Sequence, residues 1–353
     1  MRHLRKISVV GAFLLASAMA PLAWADTISP ATFSATVGIG DSVTVNKTVT
    51  VTKAVTTSQL DIFFLADTTG SMGSAITSVQ SAASSLLASS SLLGDVHWAV
   101  GEYKDDGDVF GYRLNTAFTN NQAAVQAGID IWGASGGGDL PEANLYALER
   151  AANDTGWRAS AGKVLVWFGD AVGWDPRLGS TEASATAALL AKGIKVEAIN
   201  NGNLDGTGYG DLEGQATRIT NATGGDLFGS SDTGVGAAIA AAITSAVTNY
   251  NTVCLDLSDV PGGLTAASSP LCFTGTYDRS VDRIFNFDLT FTGVTPGTYD
   301  FDVYATVDKG LVATERDIIT VTDGGTVPEP STLALMGLAL LGFGVARRKN
   351  SQG

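Results

Sequence analysis

Asp61-Ile62-Phe63-Phe64-Leu65-Ala66-Asp67-Thr68-Thr69-Gly70-Ser71-Met72-Gly73 is the stretch that decides the fold. Its five consecutive apolar residues, Ile62 to Ala66, predict a strand buried on both faces, as in a parallel sheet covered by helices. The run stops at an acid, two threonines, a serine and two glycines. In open α/β sheets ligands bind just outside the carboxyl ends of the strands. An oxygen-rich turn placed there suits a hard cation, because Mg²⁺ and Ca²⁺ prefer oxygen ligands.

Working outward, strands and helices alternate. Strands are expected over Asp61–Ala66, Val96–Tyr103, Tyr112–Phe118, Lys163–Phe168 and Lys195–Ile199. Helices are expected over Gly73–Leu93, Asn121–Trp132, Glu142–Ala152, Thr181–Lys192, Leu212–Thr220 and Val235–Tyr250. Buried strands alternating with helices predict an α/β fold with a doubly wound, mostly parallel sheet. Tyr103 and Tyr112 are close enough in sequence for one antiparallel hairpin at its edge.

On both sides of this segment the texture changes to period two. Ala31 to Val37 and Ser42 to Val51 alternate apolar with polar or hydroxyl residues and are rich in Val and Thr. With Gly38-Ile39-Gly40-Asp41 between them they predict a β-hairpin. Residues 251–323 show the same texture, in Val253 to Leu257, Ile284 to Phe291, Thr298 to Tyr304 and Asp317 to Thr322. Two isolated strands are not stable in water. The expected arrangement is therefore one all-β sandwich split in two, with the α/β unit inserted between its halves; two separate small β modules are the alternative.

Composition narrows the class. The chain has 353 residues, 45% hydrophobic and 16% charged, which suits a packed globular protein. Arg2, Arg5 and Lys6, the apolar run Ile7 to Ala18 and the small-x-small Ala23-Trp24-Ala25 predict a signal peptide over 1–25. Val327-Pro328-Glu329-Pro330, the apolar span Leu333 to Val345 and the cluster Arg347-Arg348-Lys349 form a tripartite tail. The span is short for a permanent membrane helix, and the cations would hold the cytoplasmic side. Losing the basic residues of both ends takes the formal charge from −14 to about −20. Such a surface disfavours nucleic acid and anionic lipid. Two cysteines alone in an exported chain, Cys254 and Cys272, predict a disulfide.

Two resemblances follow from these residues. The tail resembles the PEP-CTERM sorting signal of Gram-negative bacteria (326–353), which implies processing by an exosortase-type enzyme, only transient membrane contact through the tag, and export to the cell surface, outer membrane or extracellular matrix. Asp67-x-Thr69-x-Ser71 resembles the Asp-x-Ser-x-Ser signature of the metal-ion-dependent adhesion site in von Willebrand factor type A domains. Asp139-Leu140-Pro141-Glu142 and the strand ending in Asp170-Ala171 are similar to two further segments of the integrin β type A domain. Integrin β chains also nest such a domain in a sandwich. The implied division is 26–57 and 251–325 for the sandwich and 58–250 for the type A domain.

By that resemblance Thr69, Ser71 and Glu142 would touch a divalent cation, Mg²⁺ first and Ca²⁺ or Mn²⁺ as alternatives, with Asp67 and Asp170 close by. Asp105 and Asp139 match a possible second metal site, although Gly137 stands where the family carries an asparagine ligand. Ser74 and Ala75 replace the acidic pair of a third. The loop from Asn201 to Glu213 starts like a calcium loop but has Leu212 where a bidentate Glu is required. His97 is the one histidine left after signal removal, so no Ser-His-Asp set is expected. The reading is an exported adhesion or binding protein, not an enzyme, with an extracellular protein or exopolysaccharide as ligand. A structural matrix protein with a stabilising ion and a metal-dependent hydrolase are the alternatives.

Overall fold

The computed structural model describes residues 26–53, 57–138 and 140–323. The expected signal peptide (1–25), Asp139 and the sorting tail (326–353) lie outside the described residues.

At the start of the described chain stand β1 (Thr27–Ser29), β2 (Thr32–Gly38) and β3 (Ser42–Val51). The α/β unit follows, with β4 (Thr57–Asp67), α1 (Gly73–Ser90), β5 (Gly94–Tyr103), β6 (Tyr112–Thr119), α2 (Gln122–Asp130), α3 (Asn144–Asp154), β7 (Gly162–Ala171), α4 (Glu182–Lys192), β8 (Ile194–Asn203), α5 (Gln215–Thr223), β9 (Leu227–Gly229) and α6 (Val235–Thr248). Its sheet runs β6-β5-β4-β7-β8-β9. Every neighbouring pair is parallel except the edge hairpin β5–β6, in which Tyr103 faces Tyr112.

The unbroken apolar run of β4 serves two cores. Ile62, Phe64 and Ala66 pack under α1, α2 and α6, while Phe63 and Leu65 pack under α3, α4 and α5. Because successive side chains of a strand point to opposite faces, a strand with helices on both sides has no polar position to spare. Helix starts follow local capping. Asn121 accepts from the backbone of Ala123 and Ala124, and Thr181 shares a reciprocal box with Ser184.

The remaining strands are β10 (Asn249–Asp256), β11 (Leu264–Ser269), β12 (Cys272–Asp278), β13 (Arg283–Gly293), β14 (Gly297–Val307) and β15 (Gly310–Thr322). They complete two sheets with the N-terminal strands, β1-β3-β13-β11 and β12-β10-β14-β15-β2, packed around one apolar core. Cys254 and Cys272, directly opposite on β10 and β12, are joined by a disulfide.

The expected hairpin over residues 28–57 is not formed. β2 and β3 lie in different sheets, β2 parallel to β15 and β3 antiparallel to β13. Gly38 to Asp41 arches across the edge of the sandwich, where the Ile39 and Gly40 amides donate to the Thr322 and Gly293 carbonyls. Period-two alternation is the same in an arch as in a hairpin. Pairing with β13 and β15 satisfies both backbones while turning both apolar faces into a common core, which a two-stranded ribbon cannot do.

The sandwich also grips the base of the α/β unit. The Leu311 amide donates to the Ser160 carbonyl at 2.8 Å, and Lys195 pairs with Asp308 at 2.9 Å.

Candidate metal centre

β4 and β7 are adjacent and parallel, with Ala66 opposite Phe168. Asp67 and Asp170 therefore leave the same edge of the sheet. Asp67 is fully buried, and its Oδ1 accepts from the Thr69 amide at 2.9 Å and from Thr69 Oγ1 at 2.7 Å. Thr69 Oγ1 lies 3.4 Å from Ser71 Oγ. Asp67, Thr69 and Ser71 are thus in contact with one another at the end of β4.

Glu142 reaches it by a route the sequence did not suggest. A helix is expected over Glu142–Ala152, but α3 starts at Asn144. Glu142 is instead extended, its amide donating to the Val172 carbonyl and its carbonyl accepting from the Trp174 amide, each at 2.9 Å. These two bonds bridge the segment to the exit of β7 and bring Glu142 beside Asp170.

Glycines make the room. Gly137 has φ +68°, and a Cβ there would lie 2.7 Å from Thr69 Cβ and 2.8 Å from Glu142 Oε1. The missing asparagine at 137 is thus a steric requirement of this site, since any side chain would wedge Thr69 from Glu142. Gly169 plays the same part below, where a Cβ would meet the Tyr103 hydroxyl at 2.5 Å and Asp67 Oδ2 at 3.1 Å.

Two supporting residues escaped sequence reasoning. Asp108, within an acidic run that reads as a solvated turn, accepts from the Gly137 amide at 2.9 Å and fixes the glycine loop. Arg177 pairs with Asp105 at 3.1 Å and with Asp106 at 3.0 Å. At the possible second metal position Asp105 thus already has a cationic partner, and Asp139 is outside the described residues. Neither contact has a local signature, because each joins segments tens of residues apart.

The electrostatics of the cluster are lopsided. Asp67 Oδ2, Glu142 Oε2 and Asp170 Oδ1 are buried with no hydrogen-bond partner among the described residues. Burial pushes the Asp67 carboxyl up to about 7, with Asp170 adding repulsion against the relief of the Thr69 hydrogen bonds. Burial, then repulsion from Asp67, Asp105, Asp108 and Asp170, pushes Glu142 up to about 8. Lys104 is the near cation, but its ammonium bonds the carbonyls of Thr68, Gly133 and Ser135. Unpaired buried carboxylates are costly, and a bound divalent cation removes that cost.

Among the described residues no three His, Cys, Asp or Glu side chains form a metal-binding cluster. Asp67, Glu142 and Asp170 therefore do not make an all-carboxylate site by themselves, and a cation here would also need the hydroxyls of Thr69 and Ser71. Thr69 and Glu142 are buried whereas Ser71 is exposed, so the group is closed below and open on one side.

The other sequence candidates are used structurally. Asp205, in the loop resembling a calcium loop, accepts from the Thr217 amide at 2.8 Å and from its hydroxyl at 2.9 Å, holding the first turn of α5. His97 stands opposite Asp61 in the β4–β5 register, at the end of the strands away from Asp67, and its ring lies 3.6 Å from the Asp95 carboxylate.

Over residues 326–349 the chain matches the PEP-CTERM protein-sorting motif. It is an exported protein with a C-terminal sorting tag. The motif implies exosortase-type processing and membrane association through the tag. In overall fold the chain is similar to a von Willebrand factor type A protein from Catenulispora acidiphila, at 14% identity and TM-score 0.44, over 84% of this chain and 72% of that one. It is also similar to proximal thread matrix protein 1 from the mussel byssus (15%, TM-score 0.43, 58% and 48%) and to the pilus adhesin SpaC from Lactobacillus rhamnosus GG in its open conformation (12%, TM-score 0.41, 79% and 45%). The chain spans less than half the length of these last two. No curated protein matches it in sequence.

Proposed function

We propose that this exported protein is a metal-dependent binding protein of the cell surface or biofilm matrix, with Thr69, Ser71 and Glu142 holding a divalent cation and Asp67 and Asp170 in its close surroundings. The observation that carries the reading is the set of three unpartnered buried carboxylate oxygens around two hydroxyls at the carboxyl edge of the sheet. Mg²⁺ is the expected ion. When bound, it supplies a Lewis-acidic position that an oxygen donor of a partner completes. Asp67 orients Thr69 through two hydrogen bonds, and the Gly137 loop keeps the hydroxyl and Glu142 on one point.

The exposed side of the group at Ser71 favours ligand capture over a purely stabilising ion. The fitting ligand class is an extracellular protein or polysaccharide presenting a carboxylate. The proposed role is binding rather than catalysis. The test immobilises the mature protein and measures retention of acidic polysaccharide and of surface proteins in Mg²⁺ and in EDTA. Retention is expected to drop at least about tenfold in EDTA and equally in Asp67→Ala, a loss of roughly 1.4 kcal/mol or more. Equal retention in all three conditions would contradict the proposal.

A further inference from the structure

The sandwich core holds three charged side chains that its packing does not need. Lys47 of β3 and Glu315 and Asp317 of β15 are buried, their side chains at 0% exposure. Lys47 Nζ lies 3.0 Å from Asp317 Oδ1 and is in contact with Glu315 Oε1. Their surroundings are apolar. The Phe33 ring is 5.2 Å from Nζ, Phe287 is opposite Lys47 on β13, and Phe301 and Val303 are opposite Asp317 and Glu315 on β14. Two carboxyl groups share one ammonium, and Glu315 Oε2 and Asp317 Oδ2 have no hydrogen-bond partner among the described residues.

We propose that Lys47 and Asp317 condense to an intramolecular isopeptide bond, with Glu315 moving the protons. The amine and the Asp317 carboxyl are within 3.0 Å, and full burial closes the site to bulk solvent that would favour their ions. Ions buried in apolar surroundings are costly, and proton transfer to a neutral amine and a neutral acid relieves that cost. Burial pushes the Glu315 carboxyl above the usual carboxylate range, which favours its protonated form as the proton donor. The Glu315 carboxyl passes its proton to Asp317 and takes one from the Lys47 ammonium. Lys47 Nζ then attacks Asp317 Cγ. The N–Cγ bond forms and the bond from Cγ to the protonated oxygen breaks. That oxygen leaves as water, taking a second proton from nitrogen through Glu315, which ends as it began. No oxidant or other reactant is required.

The bond joins positions 270 residues apart and links the two sheets across the core. The α/β unit lies within the closed loop. Tension entering from the sorting tag reaches β15 first, and the bond passes it to β3 without peeling the strands between. This inference does not depend on a metal at Asp67.

The test is mass spectrometry of the reduced wild-type protein. The expected mass is one water below that of the processed sequence, with no tryptic cleavage after Lys47. Because Arg316 separates Glu315 from Asp317, trypsin also reports which carboxyl is joined. The expected product is a branched peptide carrying Asp317 at the start of one arm. Lys47→Arg and Glu315→Gln are expected to restore the full mass. A wild-type protein of full mass that is cleaved after Lys47 overturns the bond, and a branch on the peptide ending at Arg316 overturns the assignment to Asp317.

Discussion

Mg²⁺ is expected to raise the melting temperature of the purified protein strongly at pH 8 and hardly at pH 5. The sign follows from the two raised carboxyls. In the folded chain burial pushes the Asp67 carboxyl up to about 7 and that of Glu142 up to about 8, both above the ordinary carboxylate range. Between pH 4 and pH 8 the folded state therefore binds more protons than the unfolded state, and stability falls as pH rises through that range. For fully buried Asp67 a shift of this size corresponds to about 4 kcal/mol at most. A divalent cation binds the ionised forms and flattens the decline. Differential scanning calorimetry from pH 5 to pH 8, in Mg²⁺ and in EDTA, checks this. Two curves that converge near pH 5 and separate toward pH 8 are expected, and Asp67→Ala should abolish the separation. Parallel curves would mean that the carboxylates are stable without an ion.

Arg279→Met is expected to cost roughly 3–5 kcal/mol, the range for breaking a buried ion pair. Arg279 follows β12 and makes a bidentate pair with Asp26, both bonds at 2.8 Å, and also donates to the Thr52 carbonyl. Asp26 accepts from the Thr52 amide in turn, and both charged side chains are 2% exposed. Removing the guanidinium strands a buried carboxylate. The double change Asp26→Asn with Arg279→Met should recover much of the loss, because no charge is then left unpaired. Urea denaturation read by near-UV circular dichroism measures both. Since Asp26 and Arg279 lie in opposite end segments of the chain, the result also tests whether those segments complete one sandwich. A loss below about 1 kcal/mol, as for a surface pair, would show that they do not depend on each other.

How far the sequence could be read depended on whether a feature is local. The run Ile62 to Ala66 shows a two-faced strand because each residue's surroundings are coded at its own position, and both core clusters use it as expected. The turn Asp67 to Ser71 likewise carries its own hydrogen bonds. Glu142 directly follows Pro141, a residue type that commonly opens a helix, yet the backbone bridge to Val172 and Trp174 that fixes it has no sequence signature. Arg177 beside Asp105 and Asp108 beneath Gly137 are long-range pairs of the same kind. The arch at Gly38 to Asp41 was misread as a hairpin turn for a related reason. Alternation reports that a strand has one apolar face, not which sheet that face turns toward.

The loops after β4 and β7 and the segment at Glu142 are proposed to bind one divalent cation through hydroxyls and carboxylates together. Isothermal titration of Mg²⁺ into EDTA-stripped protein tests it most directly, with Asp67→Ala and a Thr69→Val change that removes only the hydroxyl. One saturable site in the wild type, lost in the first variant and weakened at least about tenfold in the second, is the expected result. Wild-type protein that takes up no Mg²⁺, or Thr69→Val protein that binds it unchanged, would contradict the claim.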